Sequence, residues 1–274
     1  MFEKVNPSHP DKLADRIAGA VVDMAYKKND NPKVACEVLI GHGTATVITE
    51  TSEDMSDEEI TAIIDRIAGK QQRYIIKTVP QDIHLAENQS KKTLCGDNGI
   101  FKGVPMTKEQ HKLALIARRI YETVPYDGKY LITDNDVTVC QSHTDDMTEK
   151  IISTWVQPKT FNPLGRWDGG TEVDAGATNR KLGSDMGDAV TGGGLHGKDL
   201  SKADVSVNIY LFTHAQLTGK TYKAYCRIGS DVVIVHEEGD FLPTPVKYTK
   251  IVEEARQYVD ACGGFEKLAE WGLI

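Results

Sequence analysis

The sequence has no apolar run long enough to cross a bilayer, and its N-terminus, MFEKVNPSHP, lacks the apolar core of a signal peptide. A soluble, cytoplasmic protein is expected. Cysteine is sparse: Cys36, Cys95, Cys140, Cys226 and Cys262 are odd in number, scattered and never spaced CxxC. That pattern argues against a disulfide framework or a structural zinc site and leaves buried thiols as the expectation. Positive charge is also short, with 32 Lys and Arg against 40 Asp and Glu and a net charge of -8. That balance argues against a general electrostatic grip on nucleic acid or on an anionic membrane, so any phosphate site must be local.

Apolar residues make up 40% of 274 positions, enough for one large domain or two to three smaller ones. The chain then repeats a pattern. In SHPDKLAD, Pro10 suits a first helical position, with Ser8 or His9 as cap, and Leu13, Ile17, Val21, Met24 and Ala25 form one apolar stripe. The runs KVACEVLI and TATVITE read as a hairpin, followed by a helix capped by Ser56 with Glu59 completing a capping box. A second round follows: a helix capped by Thr107, strands KYLIT and VTVCQ around Asp134 and Asn135, then HTDDMTEKIISTWV. In the third, SKADVSVNIYLFTHAQL leads to KTYKAYCRIG, DVVIVHEE and a last helix. The fold class expected is α+β, three pseudo-symmetric αββα units with antiparallel sheets covered by helices. The units are taken as 1–99, a shortened central unit 100–158, and 159–274 with a Gly-rich phosphate-binding segment.

Two stretches between the units show little periodicity. One is PQDIHLAENQSKKTLCGDNG, and the other runs from Gln157 to Gly197. They set isolated charges among glycines, which is how a backbone is brought close to a ligand. Few large apolar residues between Gln81 and Cys95 suggest a mobile lid that trypsin would cut at Lys91 and Lys92. GGGLHGKD fits the spacing GxxxxGK of a P-loop, but Asp199 replaces the Ser or Thr and LGSDMGDAVT is too polar for the preceding buried strand. A helix beginning near Lys198 would place Lys198 and Lys202 on one face, where an anion relieves their repulsion. At the start of the chain, His9 and Lys12 would add to the anion-attracting helix end while Asp11 opposes them unless a cation intervenes. That mixture suits a phosphate with a metal ion.

HPDK, VACEVLI, TATVITE, GDNG, YDGK, NPLGRWDGG, NRK and GGGLHGKDLSKAD, in this order, resemble the motif series of methionine adenosyltransferases, the S-adenosylmethionine synthetases. The resemblance runs from the start to about Asp204. It implies that family's fold of three pseudo-symmetric units. It also implies formation of S-adenosylmethionine from ATP and L-methionine by sulfur attack on C5′, the triphosphate being cleaved to pyrophosphate and phosphate. Two Mg²⁺ ions per site, K⁺, and a homodimer or higher homo-oligomer with active sites at the interface come with it. No nucleic acid or membrane partner is implied.

By the same resemblance, His9 contacts the triphosphate, Asp11 and Asp204 hold Mg²⁺, and Glu37 matches the K⁺ site. Asp127 and Lys129 bind ATP, Arg166 and Trp167 sit at the nucleoside, and Asp174 bridges both substrates. Arg180, Lys181, Lys198 and Lys202 grip the polyphosphate. Glu50 and Asp97 hold methionine, with Lys202 also assigned there, and Gln81 is the nearest glutamine to the family's methionine contact. The catalytic set is then His9, Lys129, Arg180, Lys181, Lys198 and Lys202. This inventory has a chemical logic of its own. A thioether has no proton to lose, so no general base is needed, and the burden falls on charge developing at the leaving triphosphate.

The sequence departs from the family at NPSHPDK, where Pro7 and Ser8 replace an acidic residue and a glycine, and at Val79, where the glutamine would stand. The chain is also shorter than typical members around the second hairpin and after CRIG. Two alternatives from other classes are a P-loop-like ATP-hydrolysing phosphotransferase and a non-catalytic nucleotide-binding relative.

Overall fold

The computed structural model describes residues 1–88, 92–134 and 136–274. Strand β1 (Phe2–Val5) precedes helix α1 (Pro10–Lys28), the hairpin β2 (Val34–Gly41) and β3 (Thr44–Thr51), helix α2 (Asp57–Ala68) and strand β4 (Arg73–Pro80). After α3 (Ile83–Asn88) and β5 (Gly99–Gly103), helix α4 (Lys108–Thr123) leads to the pair β6 (Gly128–Thr133) and β7 (Asp136–Gln141), then α5 (Asp146–Val156) and β8 (Thr160–Phe161). The remainder is β9 (Ala175–Ala177), α6 (Leu182–Met186), α7 (Ala203–Thr218), β10 (Tyr222–Cys226), β11 (Val232–Glu237), β12 (Thr244–Lys247), α8 (Tyr248–Cys262) and α9 (Phe265–Trp271).

Among the described residues these strands form three four-stranded sheets, ordered β9-β2-β3-β4, β1-β6-β7-β8 and β5-β10-β11-β12. Each is built on an antiparallel pair preceded by a helix, and so the α+β architecture with threefold pseudo-symmetry read from the sequence is the observed one. The sheets are not purely antiparallel. β4 runs parallel to β3, and β8 parallel to β7, because a helix, α2 or α5, carries the chain back across the sheet. The first strand in each order comes from a distant part of the chain: β9 joins β2, β1 joins β6, and β5 joins β10. Short strands at sheet edges carry too little period-2 signal to be read alone.

The capping boxes at Ser56 and Thr107 are present, with Glu59 and Gln110 as the returning side chains. Helix α1 differs from the single-stripe expectation. Beside Leu13, Ile17, Val21 and Ala25 it buries Asp11, Lys12 and Asp15, while Ala14, Ala18, Gly19 and Ala20 let neighbours approach on its other sides. A Cβ on Gly19 would lie 2.7 Å from the Phe265 carbonyl, so α9 packs directly on this backbone. One core lies around α1, α2, α4 and the first two sheets. A second, with Phe101, Leu211, Tyr222, Val233 and Tyr248, lies under the third. Of the five cysteines, all free, Cys36, Cys95 and Cys226 are buried as expected, whereas Cys140 is half-buried and Cys262 exposed. The segment Gln81–Cys95 holds the short helix α3, and its Gln89, Ser90 and Lys91 lie outside the described residues, Lys91 being one of the two expected cleavage points. Among the described residues no helix is long and apolar enough to cross a membrane.

Candidate functional site

The site is organised by the first turn of α1. His9 is its N-cap, with Nδ1 accepting the Asp11 N–H at 3.1 Å. Asp11 and Asp15, one turn apart, accept the backbone N–H groups of Ala177 and Asn179 at 2.9 and 2.7 Å. These bonds pin β9 and the turn after it across the helix start. The approach is so close that a Cβ on Gly176 would sit 2.0 Å from the Pro10 carbonyl carbon. The same turn delivers two cations to Asp11: Lys181 Nζ is 2.5 Å from Oδ2, and Arg180 lies 3.6 Å from Oδ1.

Burial alone would raise the Asp11 carboxyl, but the Lys181 ammonium and the Ala177 N–H outweigh it and hold the pKa below its ordinary value. His9 is pushed down to about 4 by burial, with Lys181 adding to the effect. It is therefore neutral at pH 7, as an Nδ1 acceptor requires, and offers Nε2–H as a donor. It does not add the positive charge expected from the sequence. Lys12 does not either, because it is fully buried and turned away into carboxylates.

Beside this cluster opens a cavity of about 470 Å³ lined by His9, Asp127, Lys129, Cys140, Asn162, Pro163, Leu164, Gly165, Trp167, Val173 and Asp174. Trp167 is oriented by its Nε1–H, which donates to Asn162 Oδ1 at 3.2 Å. Asp127, just before β6, accepts the Gly170 N–H through Oδ2 at 2.9 Å, whereas its buried Oδ1 has no hydrogen-bond partner among the described residues. Burial, with Asp174 and Asp11 nearby, pushes its pKa up to about 6. Lys129 lines the same cavity and pairs with Glu3 at 3.0 Å.

The Gly-rich segment meets this cluster through Asn179. Its side-chain oxygen accepts the N–H groups of Leu195 and His196, both at 2.9 Å, and its amide donates to the His196 carbonyl at 3.2 Å. Helix α7 begins at Ala203, not near Lys198, so Lys198 and Lys202 do not share a helical face. The reason is Asp199. Residues 197–199 are drawn alongside β2 by the bonds Cys36 N to Gly197 O and Asp199 N to Val34 O, and Asp199 side-chain oxygens take Val34 N and Ser201 N. Lys202 is the helix cap, nearly buried, and Lys198 reaches Asp204 in the first turn at 2.6 Å. Gly193 lies against that carboxylate, where a Cβ would come within 2.2 Å of Asp204 Oδ1. Among the described residues no strand leads directly into this loop. α6 and a 3₁₀ turn, Gly187–Ala189, do, which removes the P-loop geometry.

His9, Asp11, Asp127, Lys129, Trp167, Asp174, Arg180 and Lys181 thus surround one cavity and its rim, with Lys198, Lys202 and Asp204 on the adjoining loop and helix start. Other expected residues lie apart. Arg166 is exposed and held by Asp146 and Glu149. Glu37 and Glu50 are exposed on β2 and β3, the former accepting the Thr178 hydroxyl. Asp97 is exposed in the turn before β5. Gln81 lines a separate cavity with Lys33, Thr51 and Ser52. Sequence reasoning missed Asn179, Asn162, Asp185 and His196. The i, i+4 pair Asp11 and Asp15 in the first turns of α1 was the available signal that the helix start is gripped by something polar.

Residues 1–91 match the family described as S-adenosylmethionine synthetase, N-terminal domain. The whole chain is similar to the solved structure of an unusual S-adenosylmethionine synthetase from Campylobacter jejuni, at a TM-score of 0.74. The identity is 16%, and the match covers 100% of this chain and 94% of that one.

Proposed function

We propose that this chain, whose residues 1–91 match the S-adenosylmethionine synthetase N-terminal domain and whose fold is similar over its length to that of a solved synthetase, is a methionine adenosyltransferase. The observation that carries this reading is the junction of two unlike environments. A cavity walled by Trp167, Pro163, Leu164 and Val173 opens directly beside Arg180, Lys181 and the Asp11 carboxylate. A nucleoside suits the first, with the unpartnered Asp127 oxygen awaiting a donor, and a polyphosphate suits the second. The methionine sulfur attacks C5′ of ATP, forming the C–S bond of a sulfonium as the C5′–O bond breaks and triphosphate departs. Arg180, Lys181 and Lys198, with neutral His9 donating through Nε2, meet the negative charge that gathers on the leaving oxygen. The triphosphate, held by the same groups, is then hydrolysed to pyrophosphate and phosphate.

Mg²⁺ suits the hard oxygen donors of Asp11 and Asp204, which already lie beside Lys181 and Arg180 and beside Lys198, and it would supply further neutralisation of the phosphates. K⁺ is assigned to Glu37. Glu50, Asp97 and Gln81 lie away from the cavity of their own chain, which fits a site completed by a second copy. The outer face of the first sheet, with Leu39, Ile48 and Ile75 exposed around Glu37 and Glu50, is the surface that second copy would cover. The deciding experiment is mass spectrometry of the products from ATP, L-methionine, Mg²⁺ and K⁺. S-adenosylmethionine with pyrophosphate and phosphate is expected, and ADP or AMP as the main product overturns the reading.

A further inference from the structure

Beneath the site lies a second polar cluster, separate from it and closed to solvent. Lys12 Nζ stands 2.8 Å from both oxygens of Asp185, 3.1 Å from Asp15 Oδ2 and 3.3 Å from His196 Nε2, and His196 Nε2 is 2.9 Å from Asp185 Oδ2. Lys12, Asp15 and Asp185 are fully buried and His196 is almost so. The carboxylates and the imidazole are close enough together to hold a metal ion, but the ammonium occupies the space between them. Burying such charges is costly, and the cluster persists only because each has a partner. Burial works against the charged form of Lys12, and the two carboxylates overcome it and raise its pKa.

Each member is one short covalent or hydrogen-bonded step from a group of the site. Lys12 is next to Asp11 in the first turn of α1. Asp15 accepts the Asn179 N–H, one residue before Arg180. Asp185 donates its own N–H to the Lys181 carbonyl at 3.0 Å, one helical turn away. His196 is bound through its backbone to Asn179 and stands two residues before Lys198. The start of α1 and two segments more than 160 residues later, α6 and the Gly-rich loop, are therefore locked at one point, and Asp11, Lys181 and Lys198 belong to or adjoin these same segments. We propose that this ammonium-centred cluster is a positioning device that fixes Arg180, Lys181 and Lys198 relative to Asp11, with His196 and Asp185 as positioning residues for the Gly-rich loop and α6. The inference rests on the reading of these cations as a polyphosphate grip.

The test measures the affinity of the whole protein for inorganic triphosphate with Mg²⁺ by titration calorimetry, beside thermal melting and, where turnover exists, kcat and KM. His196→Gln and Asp185→Asn are compared with the double change Lys12→Met with Asp185→Asn, which removes both partners of the central ion pair together. A folded His196→Gln protein is expected to bind triphosphate at least about tenfold more weakly and to lose kcat more than KM rises, since small displacements of charged groups carry large penalties. The double variant is expected to regain the melting temperature lost by Asp185→Asn without regaining triphosphate affinity. Affinity unchanged in folded His196→Gln and double variants, or affinity that follows melting temperature in every variant, overturns the positioning role. A wild-type protein that does not bind triphosphate overturns it as well. Triphosphate binding without S-adenosylmethionine synthesis would count against the proposed activity while leaving the positioning role standing.

Discussion

At the residue scale, the charges of the site are set by burial and by neighbouring groups before any ligand arrives. Asp127 tests this. Its folded carboxyl keeps a proton up to about pH 6 because it is buried, against an ordinary value of 3.8. Between those values the folded state binds more protons than the unfolded one, so stability falls as pH rises through this window. Two pH units correspond to about 3 kcal/mol, an upper figure for this group. The ligand-free Asp127→Asn protein is therefore expected to melt higher than wild type at neutral pH, with the difference gone by about pH 4. Melting curves across that range check it, and a constant difference would mean that Asp127 is not the group responsible. The same logic gives Arg180 and Asp11 different signatures. If Arg180 meets charge that develops during the proposed reaction, Arg180→Ala should lower kcat by about a hundredfold with the fold intact. Asp11→Asn should instead shift the Mg²⁺ titration to higher concentration. A change confined to KM in the first, or an unmoved titration in the second, would reassign those side chains.

At the scale of single elements, the helices show how little of their attachment is generic. α9 is held to α1 by Asp23, whose carboxylate accepts the N–H groups of Phe265 and Glu266 at 2.8 and 2.9 Å, and by Tyr26 stacked on Phe265 with ring centroids 5.3 Å apart. This is capping across helices, since Gly264 at the N-cap has no side chain to do it. Asp23→Ala leaves two donors without their partner and should cost about 1–2 kcal/mol, read from denaturant unfolding. A loss under a few tenths of a kcal/mol would show that stacking and apolar contact hold α9 without the cap. β9 depends on close approach instead. Gly176→Ala would drive β9 off the start of α1 and carry Ala177 and Asn179 with it, so it is expected to weaken triphosphate binding far more than its one added methyl suggests.

For the whole molecule, the open question is what meets the exposed face of the first sheet. Leu39 is 54% exposed, Ile48 47% and Ile75 40%, and they share one face of β2, β3 and β4, with Leu39 and Ile75 on either side of Thr46 and Ile48 two residues further along β3. Sheet faces in a folded protein are normally covered or polar. On the proposed reading of a site shared between two copies, Ile48→Asp is expected to convert the dimer to a folded monomer in sedimentation and to abolish the proposed synthesis. An active monomeric wild type would separate the reaction from the second copy and would require Glu50 and Gln81 to have no part in it.

Local order was legible in the sequence where it is set within one or two turns of chain. The caps at Ser56 and Thr107, the hairpin around Gly41 and Gly43 and the strands on either side of Asp134 follow from side-chain geometry that neighbouring residues satisfy by themselves. The helix start at His9 and Pro10 belongs to the same class, as does the choice of charged residues at the site. The start of α7 could not be read that way, because Asp199 spends its carboxylate on β2, more than 160 residues earlier in the chain. Nor could the fate of Lys12, which looks like a solvent-facing partner of a phosphate until Asp185 and His196 come in from α6 and the Gly-rich loop to enclose it. A lysine's charge is fixed by its chemistry, but whether it faces a ligand or a buried carboxylate depends on which remote segment supplies the lower free energy. That choice is made only when α6 and the Gly-rich loop close on α1.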